Sequence, residues 1–235
     1  KSEKFNKPTP AEIAYWGGYF FYHNRLHRNY QDDISLHYYL LASKDGITIG
    51  KRYFKHENNK EDYPFSPSGH NLYDNNSKLY YCRDFDNIVY QIHEDSVVPR
   101  FRINLPNPLP ASMIEERPNE MSLLRSGYSL GITDIYEYGG LLFFRFVKDG
   151  YIWSCLYNVE ESKQVYCAKR IKFLDSSLID TIDGIYKDCF YSILTPEYLD
   201  YAFSENPLED YPDLFKTYDV EGDNPVIAFY RAVVR

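Results

Sequence analysis

Three sets of side chains in this 235-residue sequence have the types and spacing to do chemistry. The first is the acidic stretch DSSLIDTIDG, Asp175 to Gly184. Asp180 and Asp183, just before Gly184, would offer carboxylate oxygens to a hard cation such as calcium. The stretch lacks the alternating oxygens and distal Glu of an EF-hand loop. Aspartates so placed also form turns, which is their commoner role. The second set is the histidines His23, His27, His37, His56, His70 and His93. His23 and His27 have the spacing of ligands on a helix, but YFFYHN around them reads as a strand end. No HExxH is present, and solvated or capping histidines are the ordinary reading. The third set is the loop carboxylates Asp32, Asp33, Glu61, Asp62, Glu115, Glu116, Asp134 and Glu137. Paired carboxyls ~5–10 Å apart hydrolyse glycosides. Nothing in the sequence selects a pair.

Two further features bear on chemistry. Trp16, Tyr73, Tyr128 and Trp153 fall near turns or strand ends, where rings can stack on sugars or peptides. Rings there also pack sheet against sheet. The cysteines Cys82, Cys155, Cys167 and Cys189 have no CxxC spacing, so no zinc site is expected. Cys155 and Cys167 flank a turn and could face each other as a cross-strand disulfide. The alternative is four buried thiols acting as small hydrophobes. No GxSxG, P-loop or GxGxxG occurs, and Ser68-Gly69-His70 is not a nucleophile elbow.

The elements that must position these residues are strands. Leu141 to Phe173 reads LLFFRFVKDGYIWSCLYNVEESKQVYCAKRIKF. Its β-branched and aromatic runs are split by Asp149-Gly150 and by Glu160–Lys163, which predicts a three-stranded antiparallel meander. Upstream, Lys1 to Pro10 is polar and proline-bearing, and Ala11 to Ala14 fits a single helical turn. Tyr15 to Tyr22 reads as one strand, with Gly17-Gly18 as a bend or bulge. Ser35–Ala42 and Ile47–Phe54 form a hairpin, as do Lys78–Arg83 and Ile88–His93. Val98 to Leu105 alternates Phe101, Ile103 and Leu105 with Arg100, Arg102 and Asn104, the pattern of a strand with one buried face. Pro106 to Gly127 suggests short helices, and Ile132–Tyr138 a strand. Leu174–Asp183 reads as an acidic loop and Tyr186–Leu194 as a strand. Thr195-Pro196 is a helix start, running to about Phe203. A short helix over Asp210–Tyr218 and a final strand over Val226–Val234 follow.

These strands repeat. Tyr19, Leu79 and Leu142 open equivalent aromatic runs, 60 and 63 residues apart. Each run leads into a second and a third strand, and the structured part of a unit is about 40 residues. Units of that size with three or four antiparallel strands are β-propeller blades, stable only when stacked. The predicted fold is all-β, with blades near 15–70, 71–127, 128–184 and 185–235 after a linker or lead-in at 1–14. That is an incomplete set, about 3.5–4 blades. An upstream segment or a second molecule is expected to cover the exposed strand edge.

Composition limits the function. At 44% hydrophobic and 26% charged the chain can bury a core, and 25 Tyr and 15 Phe suit half-buried strands. A net charge of −8 with no basic stripe argues against nucleic acid; Lys169–Lys172 is a strand end. No apolar run approaches the ~20 residues of a membrane span. The first residue is Lys1, which fits a processed or excised chain, so the lack of a signal peptide says nothing about export.

In order, YFFYHN (Tyr19–Asn24), DGITIGKRYF (Asp45–Phe54), DNIVYQI (Asp86–Ile92), VVPRFRINL (Val97–Leu105) and DNPVIAFYRAVV (Asp223–Val234) resemble one known group. This is the C-terminal part of the six-bladed β-propeller lipoproteins of Bacteroides-type bacteria, whose domains are mostly of unknown function. The resemblance covers most of Tyr15 to Arg235. It implies an NHL-like propeller, exported and held at the cell envelope, periplasmic or outer-membrane-associated, with a lipid anchor upstream. Family members carry blades before the counterpart of Tyr15. No catalytic residue carries over. The resulting expectation is a non-catalytic binding or scaffold propeller whose protein or glycan ligand meets the axial face. It needs no cofactor unless calcium binds. The alternative is a glycoside hydrolase or lyase acting on polysaccharide.

Overall fold

Two-residue turns such as Gly17-Gly18 and Asp149-Gly150 set the register between neighbouring strands. In the computed structural model the described residues are 11–24, 38–55, 67, 69–94, 96–116, 118–169, 171–173, 176–179, 182–205, 218–219, 221–222 and 224–231, with backbone only for 115, 171–173, 176–179 and 205. Strands β1 (Glu12–Trp16), β2 (Tyr19–His23), β3 (Tyr38–Ser43) and β4 (Ile49–Lys55) form one sheet in that order. Next come β5 (Leu72–Asp74), β6 (Leu79–Cys82), β7 (Ile88–Ile92) and β8 (Val97–Arg102), again in sequence order. The short helices α1 (Ala111–Glu115) and α2 (Glu120–Leu124) separate these from β9 (Ser129–Tyr138), β10 (Leu141–Lys148), β11 (Tyr151–Asn158) and β12 (Lys163–Ala168). Those four build the third sheet. β13 (Ile171–Phe173) pairs with β14 (Ser176–Ile179). β15 (Gly184–Tyr186), β16 (Cys189–Leu194) and β17 (Val226–Tyr230) form a three-stranded sheet, with α3 (Pro196–Glu205) between its last two strands. Up-and-down sheets of this kind are the blades of an all-β propeller. Among the described residues no helix is long and apolar enough to cross a membrane.

Several local expectations are corrected. Residues 11–14 do not form a helical turn, because Ala14 and Tyr15 pair with Phe21 and Phe20 in β1–β2. Gly17 and Gly18 are a turn rather than a bulge. Both have positive φ, +55° and +79°, as a two-residue hairpin turn demands. Residues 186–194 likewise split into a hairpin, with Lys187 at φ 53°. β14 lies inside the stretch read as an acidic loop, and β5 was not expected at all. α3 starts as its sequence demands, with the Thr195 hydroxyl accepting from the Tyr198 N–H at 3.3 Å. The short helix expected over 210–218 falls almost wholly outside the described residues.

The chain divides into two compact units: Lys1–Tyr73, Ser77–Thr133 and Val147–Gly150; and Asp74–Asn76, Asp134–Phe146 and Tyr151–Arg235. In the first, Phe21, Leu40 and Ala42 of the first sheet share one core cluster with Leu72, Leu79, Tyr81, Tyr90 and Ile92 of the second. Full burial of one such large side chain stabilises by about 1.5–3 kcal/mol. Phe54, at the end of β4, holds φ 57° and stacks on Tyr81 at 5.6 Å between ring centroids. The Arg83 guanidinium lies 5.3 Å over the Phe54 ring and pairs with Asp86, Nη2 to Oδ2, at 2.6 Å. The Glu12 carboxylate accepts from the Asn71 and Leu72 N–H groups at 2.6 and 2.9 Å, tying β1 to the start of β5.

In the second unit Asn75 works in a similar way. It donates to the Ile135 carbonyl at 3.1 Å and accepts from the Glu137 N–H at 2.6 Å. Its buried amide therefore splices onto the β9 backbone. Asp134 (φ 52°) accepts from Nε and Nη2 of Arg145 at 2.8 and 2.7 Å, both at Oδ2.

At Gly131 two backbone segments of the first unit pack directly against each other. The Gly131 φ is +97°, and an added Cβ would lie 2.7 Å from the Phe85 Cα. Beside it the Ile132 N–H donates to the Asp86 carbonyl at 3.0 Å. Gly131→Ala is expected to cost roughly 2–4 kcal/mol in denaturant unfolding, because the backbone must shift and the φ is strained. Gly139→Ala, with nothing within 4 Å of the added Cβ, is the control and is expected to cost less.

Candidate functional site

Alternation along β11 puts Tyr151, Trp153 and Cys155 on one face. Cys155 lies opposite Cys167 of β12 and is joined to it by a disulfide. Of the two outcomes open in the sequence, this pair is bridged, while Cys82 is a buried thiol and Cys189 a half-buried one. Lys169, two residues past Cys167, returns over the same face. Its Nζ sits 3.4 Å from the Tyr151 ring centroid and 5.8 Å from that of Trp153. Trp153 in turn stacks on Phe146 at 6.2 Å and 8° between ring planes. Tyr151 is 53% exposed. The indole N–H of Trp153 is buried and has no hydrogen-bond partner among the described residues. An unmatched buried donor costs about 1–3 kcal/mol, so it needs an explanation.

This group has the chemistry of a ring-stacking site. Tyr151 offers a π-face, Lys169 a cation with three donors, and Trp153 an unused donor beneath them. The disulfide fixes the two strands that carry it. Tyr151 and Lys169 were not singled out in the sequence. The signal for Tyr151 was its period-two spacing from Trp153. The signal for Lys169 was its offset from Cys167, readable only once the Cys155–Cys167 register is known.

The other aromatic candidates are packing residues in the structure. Trp16 ends β1 half-buried against the core of the first unit. Tyr73 is buried, and its hydroxyl donates to the His70 carbonyl. Tyr128 packs against the cluster of Leu123, Leu130 and Val147.

Two acids among the described candidates, Asp183 and Asp134, are drawn into the fold. The Asp183 carboxylate accepts from the Ile193 N–H at 2.7 Å, and its carbonyl accepts from the Tyr136 hydroxyl at 3.0 Å. Asp180 lies outside the described residues, as do Asp32, Asp33, Glu61 and Asp62. Among the described residues no three His, Cys, Asp or Glu side chains gather closely enough to hold a metal ion. Asp134 is engaged by Arg145. The N–H groups of Thr48 and Ile47 and the Ser43 hydroxyl hold the Asp45 carboxyl well below the usual range. Its own N–H and the Thr195 side chain lower that of Glu197.

Of the described histidines, His70 and His93 are exposed and His23 is buried. His23 is 1% exposed, with Nδ1 3.2 Å from the Tyr81 hydroxyl, because β2 turns it inward at its last residue. His70 lies 3.3 Å from the Glu12 carboxylate. His27, His37 and His56 are outside the described residues. Burial pushes the Tyr81 hydroxyl and the Cys82 thiol well above their ordinary pKa values, which leaves Cys82 unreactive.

Comparison with known proteins bears on the fold. No curated protein matches the sequence. A crystal structure from Bacteroides fragilis NCTC 9343, of a protein described only provisionally as exported, superposes with a TM-score of 0.71 at 15% identity. The match covers 94% of this chain, and the chain spans 64% of that protein. At this identity the likeness speaks for the fold alone. Residues 13–177 match the DUF5128 family, described as a 6-bladed beta-propeller. With four sheets of propeller-blade topology and a family match over more than half its length, the chain belongs to this six-bladed β-propeller family.

Proposed function

We propose that this chain is a non-catalytic binding propeller of the bacterial cell envelope, and that Tyr151, Trp153 and Lys169 take part in holding its ligand. The observation that carries the reading is the exposed Tyr151 ring under the Lys169 ammonium, on strands locked together by a disulfide. An aromatic face with a nearby donor suits a sugar ring, which presents C–H groups to the ring and hydroxyls to the cation. The disulfide favours export, because such bonds persist in oxidising compartments and are rare in the cytosol. The provisional description of the Bacteroides fragilis neighbour points the same way.

Two outcomes are expected. Denatured without reductant, the chain should titrate two free thiols, Cys82 and Cys189, and four after reduction. Replacing Cys155 and Cys167 together by Ala should cost about 2–4 kcal/mol. Four thiols in protein secreted to an oxidising compartment would remove this support for export.

The second outcome concerns the ligand. On a panel of bacterial and plant polysaccharides, scored for binding and for released product together, we expect binding without turnover. Tyr151→Ala should weaken that binding about tenfold or more while leaving the melting temperature nearly unchanged, since the ring is exposed. Product release would replace the binder by an enzyme. Binding indifferent to Tyr151→Ala would move the ligand site elsewhere.

A further inference from the structure

Two polar side chains of the β11–β12 patch can only donate. Lys169 brings three N–H groups and Trp153 one, and neither can accept a hydrogen bond. Lys169 is exposed, and its ammonium meets the rings of Tyr151 and Trp153 but no hydrogen-bond acceptor among the described residues. The Trp153 indole N–H is unmatched among them as well. The polar demand of the patch is therefore one-sided: it lacks acceptors. A negatively charged acceptor answers that demand best, since charge-assisted hydrogen bonds are the strong ones. The local sequence has the same sign. Residues 163–173, KQVYCAKRIKF, carry Lys163, Lys169, Arg170 and Lys172 and no acid, in a chain of net charge −8. Such a run is too short for a nucleic-acid surface and long enough to attract one anionic group.

The ring face decides between a neutral and an acidic sugar. At 3.4 Å from the centroid, the Lys169 Nζ covers the middle of one face of Tyr151. A neutral pyranose stacking there would displace the cation and leave its contact with the ring unreplaced. A pyranose bearing a carboxylate would displace it too, but would then take it up as an ion pair. That exchange is favourable, because a hydrogen bond between charged groups outweighs a cation–π contact at an exposed site. The flexible four-carbon stem of Lys169 allows it without backbone movement. An acidic peptide would supply the carboxylate but no flat C–H face to lie on Tyr151.

We infer that the ligand of this patch is an acidic saccharide, a uronic acid residue whose carboxylate pairs with Lys169 while its pyranose ring lies on Tyr151. This rests on the binding role proposed above for Tyr151, Trp153 and Lys169, and narrows its ligand to one chemical class. Lys169 then selects by charge and Tyr151 by shape, on strands held in register by the Cys155–Cys167 bridge.

The test is titration calorimetry on the whole 235-residue chain at low salt. The probes are polygalacturonate and polymannuronate, the fully methyl-esterified form of the first, neutral galactan and mannan, and polyglutamate. At least one of the two uronates should bind, and added salt should weaken it. If that is polygalacturonate, esterification, which removes the charge and keeps the ring, should weaken binding at least about tenfold; if polymannuronate, neutral mannan should bind at least about tenfold more weakly. Lys169→Gln should weaken uronate binding by a similar factor and erase the preference over the uncharged form. Lys169→Arg should retain most of it, and neither change should move the melting temperature, since the side chain is exposed. Equal binding of charged and uncharged forms, both lost in Tyr151→Ala, would overturn the acidic ligand and leave sugar binding at Tyr151 standing. Uronate binding indifferent to Lys169→Gln would overturn it as well. Polyglutamate bound as tightly as the uronate, with the same dependence on Lys169, would replace the saccharide by an acidic peptide. Silence of every saccharide would overturn the acidic ligand and the sugar-binding reading together.

Discussion

Within the first unit, everything depends on aromatic and aliphatic side chains of one sheet being buried by the next. A four-stranded blade has two faces and cannot cover either with its own residues. Phe21, Leu40 and Ala42 are fully buried only because Leu79, Tyr81 and Ile92 lie against them. Phe54 shows how strong this demand is. It accepts a left-handed backbone, which costs a bulky residue about 1–3 kcal/mol, and its ring thereby lies on Tyr81 and Tyr90. Two polar contacts accompany this packing. The Tyr81 hydroxyl meets His23, and Glu12 takes the two N–H groups at the start of β5.

The same economy engages several acids among the described residues. Asp45 and Asp86 cap turns by accepting backbone N–H groups, Asp183 holds β16, and Asp134 clasps Arg145. These four acids fasten neighbouring strands or turns. What lies outside this scheme is the patch on β11 and β12. There a buried indole N–H has no partner among the described residues, and an exposed tyrosine carries a lysine on its face.

Much of the fold was legible because strands advertise themselves by period and by turn chemistry. Asp149-Gly150 announced the β10–β11 hairpin, and Phe101 alternating with Arg100 and Arg102 announced β8. Misreadings arose where one signal has two meanings. Gly17-Gly18 serves a bulge or a two-residue turn equally well, and only pairing of Tyr15 with Phe20 decides between them. β5 has three residues, too few for any periodicity to show. The site was half legible. Trp153 could be flagged by type, but Lys169 reaches it across strands, and such adjacency depends on a register that composition does not encode. The Cys155–Cys167 pairing depends on the same register.

In the first unit, packing between sheets, rather than pairing within them, stabilises the blades. A double-mutant cycle on Phe54 and Tyr81 tests it most directly, since the rings belong to different sheets and stack at 5.6 Å. With Phe54→Ala and Tyr81→Ala measured singly and together by chemical denaturation, the account predicts large single losses and a coupling of about 0.5–1.5 kcal/mol. Losses that simply add would mean the two rings stabilise their own sheets independently, and the stacking account would be wrong.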